Sequence, residues 1–220
     1  MKVLDQSGFN EWAKTYNSSV QESNNDNTYP FAGYETMIAY LESEIPKDSS
    51  VLDIGIGTGY LAKKLADKNC KITGVDFSEE MLQKAKENVP NIKTIKHDLN
   101  NGIPELTDSY DVIISTYAFH HFDLEHKVAL IHELMHTLKK GQRIFIGDIS
   151  FERRLQFLQA RDKFLDRWDN EENYFVYDEI KDYLQAFQPT YIRVSFCAGV
   201  LVLTKPIVNE EDSSDIEISL

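Results

Sequence analysis

The nine residues Val51-Leu52-Asp53-Ile54-Gly55-Ile56-Gly57-Thr58-Gly59 constrain this chain more than any other stretch. An apolar run suited to a buried parallel strand enters a loop with glycine at every second position. Tyr60 to Asn69 then sets Leu61, Ala62, Leu65 and Ala66 on one helical face. Glycine tolerates backbone angles that other residues avoid and lets the main chain approach a bound molecule, where a side chain would block it. The helix that follows presents free N–H groups at its start. The segment therefore reads as a strand, a ligand cradle and a helix.

Strands and helices continue to alternate beyond it. Lys71 to Asp76, Ile92 to Lys96, Tyr110 to Thr116 and Arg143 to Ile149 join Ser50 to Ile54 as five expected parallel strands. Ser78 caps the helix after the second strand, with Glu79 and Glu80 in its first turn and Pro90 marking its end. Leu124 to Lys139 reads as a helix carrying Val128, Ile131, Met135 and Leu138, with Gly141 as its stop. Two helical patterns, Glu152 to Trp168 and Tyr177 to Phe187, precede two β-rich runs, Tyr191 to Phe196 and Val200 to Lys205. The link Cys197-Ala198-Gly199 is too short for a parallel crossover, so these runs form an antiparallel hairpin. Upstream, Phe9, Trp12, Ala13 and Tyr16 fall at helical spacing. Met37, Ile38, Leu41 and Ile45 build a second amphipathic helix closed by Pro46. The expected organisation is a helical lid over 1–46, a core over 47–206 with a helical insertion at 152–177, and an acidic tail over 207–220.

Charge narrows the partners. The 220 residues carry 23 basic and 36 acidic side chains, a net charge of -13, and five of the acids cluster in the last dozen residues without a Lys or Arg. A chain that acidic repels nucleic-acid backbones and anionic lipid, so neither is an expected partner. Cys70 and Cys197 make no disulfide framework, and no apolar stretch approaches a membrane span, which places the expected location in the cytoplasm.

The glycine spacing chooses among cofactors. A dinucleotide fingerprint, G-x-G-x-x-G, requires glycine at position 60, which is Tyr60. G-x-G-x-G preceded by Asp53 is met in full. That pattern, with the terminal hairpin, resembles the class I S-adenosylmethionine (SAM) dependent methyltransferases. The likeness is closer to a small group of bacterial methyltransferases through Phe9-Asn10-Glu11-Trp12-Ala13-Lys14-Thr15-Tyr16, Phe31-Ala32-Gly33-Tyr34 and Ser115-Thr116-Tyr117-Ala118-Phe119-His120-His121-Phe122. The Leu-Lys-Pro-Gly-Gly usual before the fifth strand stands here as Leu138-Lys139-Lys140-Gly141-Gln142. The implied fold is Rossmann-like α/β: a seven-stranded, mostly parallel sheet with a C-terminal antiparallel hairpin and helices on both faces.

The resemblance implies SAM as cofactor and a methyl acceptor as partner, with a small molecule favoured by the acidic body and the lack of a recognition domain. Gly55, Gly57 and Gly59 would hold the methionine end, with Asp53 and the carbonyls near Thr116 meeting its ammonium group. Asp76 is placed to accept from both ribose hydroxyls. Asp98 would accept from the adenine amine while the Leu99 N–H approaches the ring, with Phe77 and Met81 sandwiching it. Tyr16, with Tyr29 and Tyr34, is expected to wall the acceptor site or touch the carboxylate of the cofactor. Tyr117 to His121 would lie beside the transferring methyl, with His120 the first candidate base and His121 the second. Two other readings are a SAM-binding protein without turnover and an NAD-dependent oxidoreductase, the latter disfavoured by Tyr60. No metal is implied. His132-Glu133-Leu134-Met135-His136 matches the zinc-hydrolase pattern, but its helix must turn an apolar stripe to the sheet and no third ligand is evident.

Overall fold

A computed structural model describes residues 27–207, so the expectations for Phe9 to Tyr16 and for the tail beyond 207 lie outside the described residues. Helix α1 (Tyr34–Glu44) buries Met37, Ile38 and Leu41 and ends at Ile45, before Pro46. The alternation follows as β1 (Ser50–Ile54), α2 (Tyr60–Ala66), β2 (Lys71–Asp76), α3 (Glu79–Asn88), β3 (Lys93–Lys96), β4 (Tyr110–Thr116), α4 (Leu124–Thr137) and β5 (Leu138–Phe151). The C-terminal part comprises α5 (Arg154–Lys163), β6 (Phe175–Val176), α6 (Tyr177–Ile180), β7 (Thr190–Arg193) and β8 (Ala198–Thr204). Local chemistry accounts for the ends: the Ser78 hydroxyl accepts from the Met81 N–H at 3.2 Å, and α3 stops two residues short of Pro90.

The sheet runs β3-β2-β1-β4-β5-β8-β7, with β6 added at the end of β5. Pairings among β1 to β5 are parallel, and β8 runs antiparallel to both β5 and β7. Strand order reverses between β1 and β4, which opens a crevice at their carboxyl ends. Side chains separate by strict alternation. Val51, Val112 and Ile114 face one apolar core with α1, α2 and α3, while Leu52, Ile113 and Ile144 face a second with α4, Phe175 and Leu184. The central strands β1 and β4 are thus buried on both sides, as apolar runs such as Val112-Ile113-Ile114 require, whereas the edge strands β3 and β7 are partly exposed.

Four local expectations are corrected. Gly141 is not the stop of α4: the helix ends at Thr137, and Gly141 sits within β5 at φ 76°, where a register shift opposite Tyr110 is absorbed. Residues after Lys163 leave the helix because Phe164, Trp168 and Tyr174 turn inward to stack around Tyr29. Tyr177 to Phe187 keeps α-geometry only to Ile180 and continues as a 3-10 turn. The hairpin is tighter than read, since the Val194 and Ser195 N–H groups both donate to the Ala198 carbonyl at 3.0 Å. Strand β6, two residues paired to Ser150 and Phe151, makes an eighth strand too short to register in a periodicity.

Candidate active site

The crevice floor is the turn between β1 and α2. Its three glycines hold φ of 71°, 55° and 76°, all in the left-handed region, and each serves a different need. A Cβ on Gly57 would meet nothing within 4 Å among the described residues, so their packing leaves this position clear at the carboxyl end of β1. A Cβ on Gly55 would lie 2.5 Å from that of Ala118, and one on Gly59 would lie 3.1 Å from the Ala85 Cα. Only Gly57 therefore behaves as the sequence reading had all three do. The other two let the loop after β4 and helix α3 close on the cradle.

Asp53 ends just short of the cradle and is 2% exposed, and its Oδ1 has no hydrogen-bond partner among the described residues. Burial, aided by the Asp76 carboxylate, pushes its pKa up to about 8. A buried carboxylate oxygen without a donor fits a cationic ligand group, which is what an ammonium would supply.

Asp76 closes β2 and braces the cradle. Its Oδ2 accepts from the Gly57 N–H and its Oδ1 from the Ser78 N–H, both at 2.9 Å. Burial raises its pKa against these bonds. The Phe77 N–H also bonds this carboxylate, so three of its acceptor positions are taken by backbone and one is left for a ribose hydroxyl. Phe77 is half-buried, and Met81 is buried yet belongs to neither apolar core. Asp98 is exposed and caps the short turn Leu99–Asn101, its Oδ1 accepting from the Asn100 N–H at 2.9 Å, while Leu99 is buried in the second core. Thr116 pairs with Gly147 at the end of β4, and Tyr16 lies outside the described residues. The residues expected around the adenine thus follow the ends of β2 and β3, with Asp98 engaged in capping its own turn.

The loop after β4 carries the other half of the site. Tyr117 takes φ 51°, and its ring lies against Phe31 at 5.1 Å and Tyr34 at 5.4 Å, which closes the crevice from the α1 side. His120 is buried and held by one side chain that the sequence reading missed: Asp148 of β5 takes the His120 N–H at 3.0 Å and lies 2.6 Å from Nδ1. Burial disfavours the imidazolium, but the charge and hydrogen bond of Asp148, with Glu172 behind them, prevail and raise the His120 pKa. His121 is exposed, its Nδ1 3.1 Å from the Glu172 Oε2. Lys127 is buried with its ammonium on the Phe122 and Asn173 carbonyls, and burial lowers its pKa to about 8. Asp148 had a sequence signal, a lone acid inside the apolar run Ile144 to Phe151. Glu172 had none, being brought in by a loop.

The H-E-x-x-H pattern is otherwise employed. His132 meets the Phe187 ring edge-on at 4.8 Å, and Glu133 accepts from the Ile103 N–H at 2.9 Å, pinning the loop ahead of β4. Tyr60, which breaks the dinucleotide fingerprint, opens α2 and donates its hydroxyl to Glu35 at 2.9 Å.

The sheet order, the cradle and the acids ending β1 and β2 define the architecture shared by class I methyltransferases. Comparison with known proteins agrees. Residues 51–141 match the family described as a methyltransferase domain. An uncharacterised methyltransferase of Geobacillus is 36% identical over 152 residues, covering 69% of this chain and 70% of that protein. One from Alkaliphilus oremlandii is 28% identical over 204 residues, covering 90% and 91%. Among solved structures, the complex of DhpI with S-adenosylhomocysteine (SAH) superposes with TM-score 0.70 at 15% identity, covering 92% of this chain and 96% of that one. Magnesium protoporphyrin IX methyltransferase of Synechocystis, solved with bound SAH, gives 0.66 at 17%, covering 91% and 100%. The chain belongs to the methyltransferase family.

Proposed function

We propose that this enzyme moves the methyl group of SAM to a small-molecule acceptor and releases SAH. The observation that carries the reading is the buried Oδ1 of Asp53, without a hydrogen-bond partner among the described residues, beside a cradle whose middle glycine has none of those residues within 4 Å of its Cβ position. When bound, SAM supplies an electrophilic methyl on a sulfonium, so the protein's task is alignment and exclusion of water. Gly57 admits the methionine end, Asp53 receives its ammonium, and Asp76 receives the ribose. Asp98, Leu99, Phe77 and Met81 surround the adenine, and Thr116 lies at the methyl end.

Acceptor activation falls to His120. Its Nδ1–H is directed to Asp148, which leaves the Nε2 lone pair to take a proton from an acceptor hydroxyl or ammonium. His121, whose ring lies 4.1 Å from that of His120, is the second candidate base, and Tyr117 of the same loop is the third candidate for the acceptor side. The strongly acidic composition favours a small acceptor over a nucleic acid. Two structural relatives, DhpI and the magnesium protoporphyrin IX enzyme, hold SAH, and the second acts on a porphyrin. Incubation with methyl-tritiated SAM and a panel of phenols, amines, carboxylic acids and thiols tests the proposal. Label should pass to one class, and His120→Asn should lower transfer about 10²-fold or more while SAH binding is retained. Failure of SAM and SAH to bind at millimolar concentration would overturn it.

A further inference from the structure

The loop after β4 and the loop before β6 bring together three donor atoms that lie far apart in the sequence. Asp148 is fully buried and engages His120 through both its carboxylate oxygens, which turns the Nε2 of that ring toward Glu172. Nε2 lies 3.8 Å from the Glu172 Oε2, and the same oxygen lies 3.1 Å from the Nδ1 of His121. One nitrogen of each ring and one Glu172 oxygen all lie within 4.8 Å of one another. Two ligands of a tetrahedral zinc ion, each about 2.0–2.1 Å from the metal, are separated by roughly 3.3 Å. The Glu172–His121 separation is already close to that value, while the Glu172–His120 pair at 3.8 Å and the two ring nitrogens, within 4.8 Å, draw in when the partly exposed His121 and Glu172 side chains turn onto the ion.

We propose that His120, His121 and Glu172 bind one divalent transition-metal ion, with Zn²⁺ the best match to two imidazoles and a carboxylate. Asp148 is then the outer carboxylate that fixes the His120 tautomer, an arrangement that recurs around metal-bound imidazoles. Electrostatics support uptake. Among the described residues, the carboxylates of Asp148 and Glu172 outnumber the ammonium of Lys127, which is turned onto the Phe122 and Asn173 carbonyls. Three protein ligands leave a fourth position open, as in catalytic rather than structural sites.

The role of the ion rests on the methyltransferase reading above and refines it. An acceptor hydroxyl or thiol that takes the open position loses its proton to water. Its lone pair then forms the new bond to the methyl carbon, while the carbon–sulfur bond breaks and its electron pair stays on sulfur. His120 then serves as a ligand, and the metal takes over the acidification that the base alone would otherwise provide.

The test begins with protein stripped by chelator and dialysed, then titrated with Zn²⁺ by calorimetry and with Co²⁺ by its visible absorption. The wild type should take up one equivalent with four-coordinate cobalt bands. His121→Ala and Glu172→Gln, both at partly exposed side chains, should each weaken uptake at least about 100-fold. Asp148→Asn should weaken it about 10–100-fold. His132→Ala should leave it unchanged. The site is refuted by failure of stoichiometric uptake, or by uptake that survives His121→Ala and Glu172→Gln together. The role is refuted if stripped enzyme transfers methyl groups as fast as reloaded enzyme. SAH affinity measured on the same samples separates these results from failure of the family reading, since the cofactor residues lie outside the metal cluster.

Discussion

At the scale of single residues, the site is built from carboxylates kept in unfavourable surroundings. Asp53 is the sharpest case. A carboxyl whose pKa is raised in the folded state binds more protons folded than unfolded, so it erodes stability as pH climbs from its ordinary range to about 8. Asp53→Asn should therefore melt higher than the wild type at neutral pH. It should also bind SAH about 10- to 150-fold more weakly, because a charge-assisted bond to the ammonium is worth about 1.5–3 kcal/mol. Thermal melts and calorimetry on one preparation check both signs, and a variant that binds SAH normally removes the ammonium assignment. His120 runs the other way. Its raised pKa makes protonated His120 a source of stability that is complete below the ordinary histidine range and lost as pH rises through the folded value. In metal-free protein, the stability gap between wild type and His120→Asn should shrink as pH rises, as read by urea melts across the range. These environments were invisible in the sequence: the glycine loop announced Asp53, but nothing local announced that its oxygen would lack a donor.

At the scale of elements, the cradle depends on a glycine outside its motif. Gly74 of β2 pairs with Asp53, and a Cβ there would lie 2.4 Å from the Ile56 Cδ1 and 3.2 Å from its Cβ. Ile56 is the residue between the first two glycines of the turn, and its β-branched side chain has little rotamer freedom to yield. Gly74→Ala should destabilise the protein by about 1–3 kcal/mol and weaken SAH binding by shifting the loop. Denaturant melts and SAH titration would show this, and full affinity in the variant would mean that the loop is not braced by β2. The alternation of β1 to β5 with their helices was legible because the central strands β1 and β4 are apolar on both faces and each helix has one apolar stripe, while the edge strand β3 was marked by its place between Pro90 and the Asp98 turn. The lengths were less so. Strand β5 runs on to Phe151 because Ser150 and Phe151 find a partner in β6, a two-residue strand with no pattern of its own.

At the scale of the whole molecule, one sheet separates two apolar cores, and the crevice lies where its strand order reverses. Helix α1 belongs to this architecture: Met37 packs where a Cβ on Gly147 would come within 2.6 Å of its sulfur. The described part of the stretch read as a lid is thus seated on β5. None of the helices among the described residues is long and apolar enough to cross a membrane. Ligand binding to the folded state alone should register globally. SAH at about 100 times its dissociation constant adds about 2.7 kcal/mol, which raises the Tm of a domain this size by several degrees. NAD at the same concentration should leave Tm unchanged. A shift by NAD without one by SAH would favour the dinucleotide reading that Tyr60 argued against.

The sequence by itself determined the α/β alternation, the terminal hairpin, the cradle and the identity of Asp53, Asp76 and His120 as candidates, because periodicity and glycine placement are local properties. Only the tertiary structure decided which glycine is left clear by the described residues, that Asp148 holds His120, and that Glu172 stands between two histidines. Those depend on strands and loops converging from distant parts of the chain, and no spacing along it records where their side chains meet.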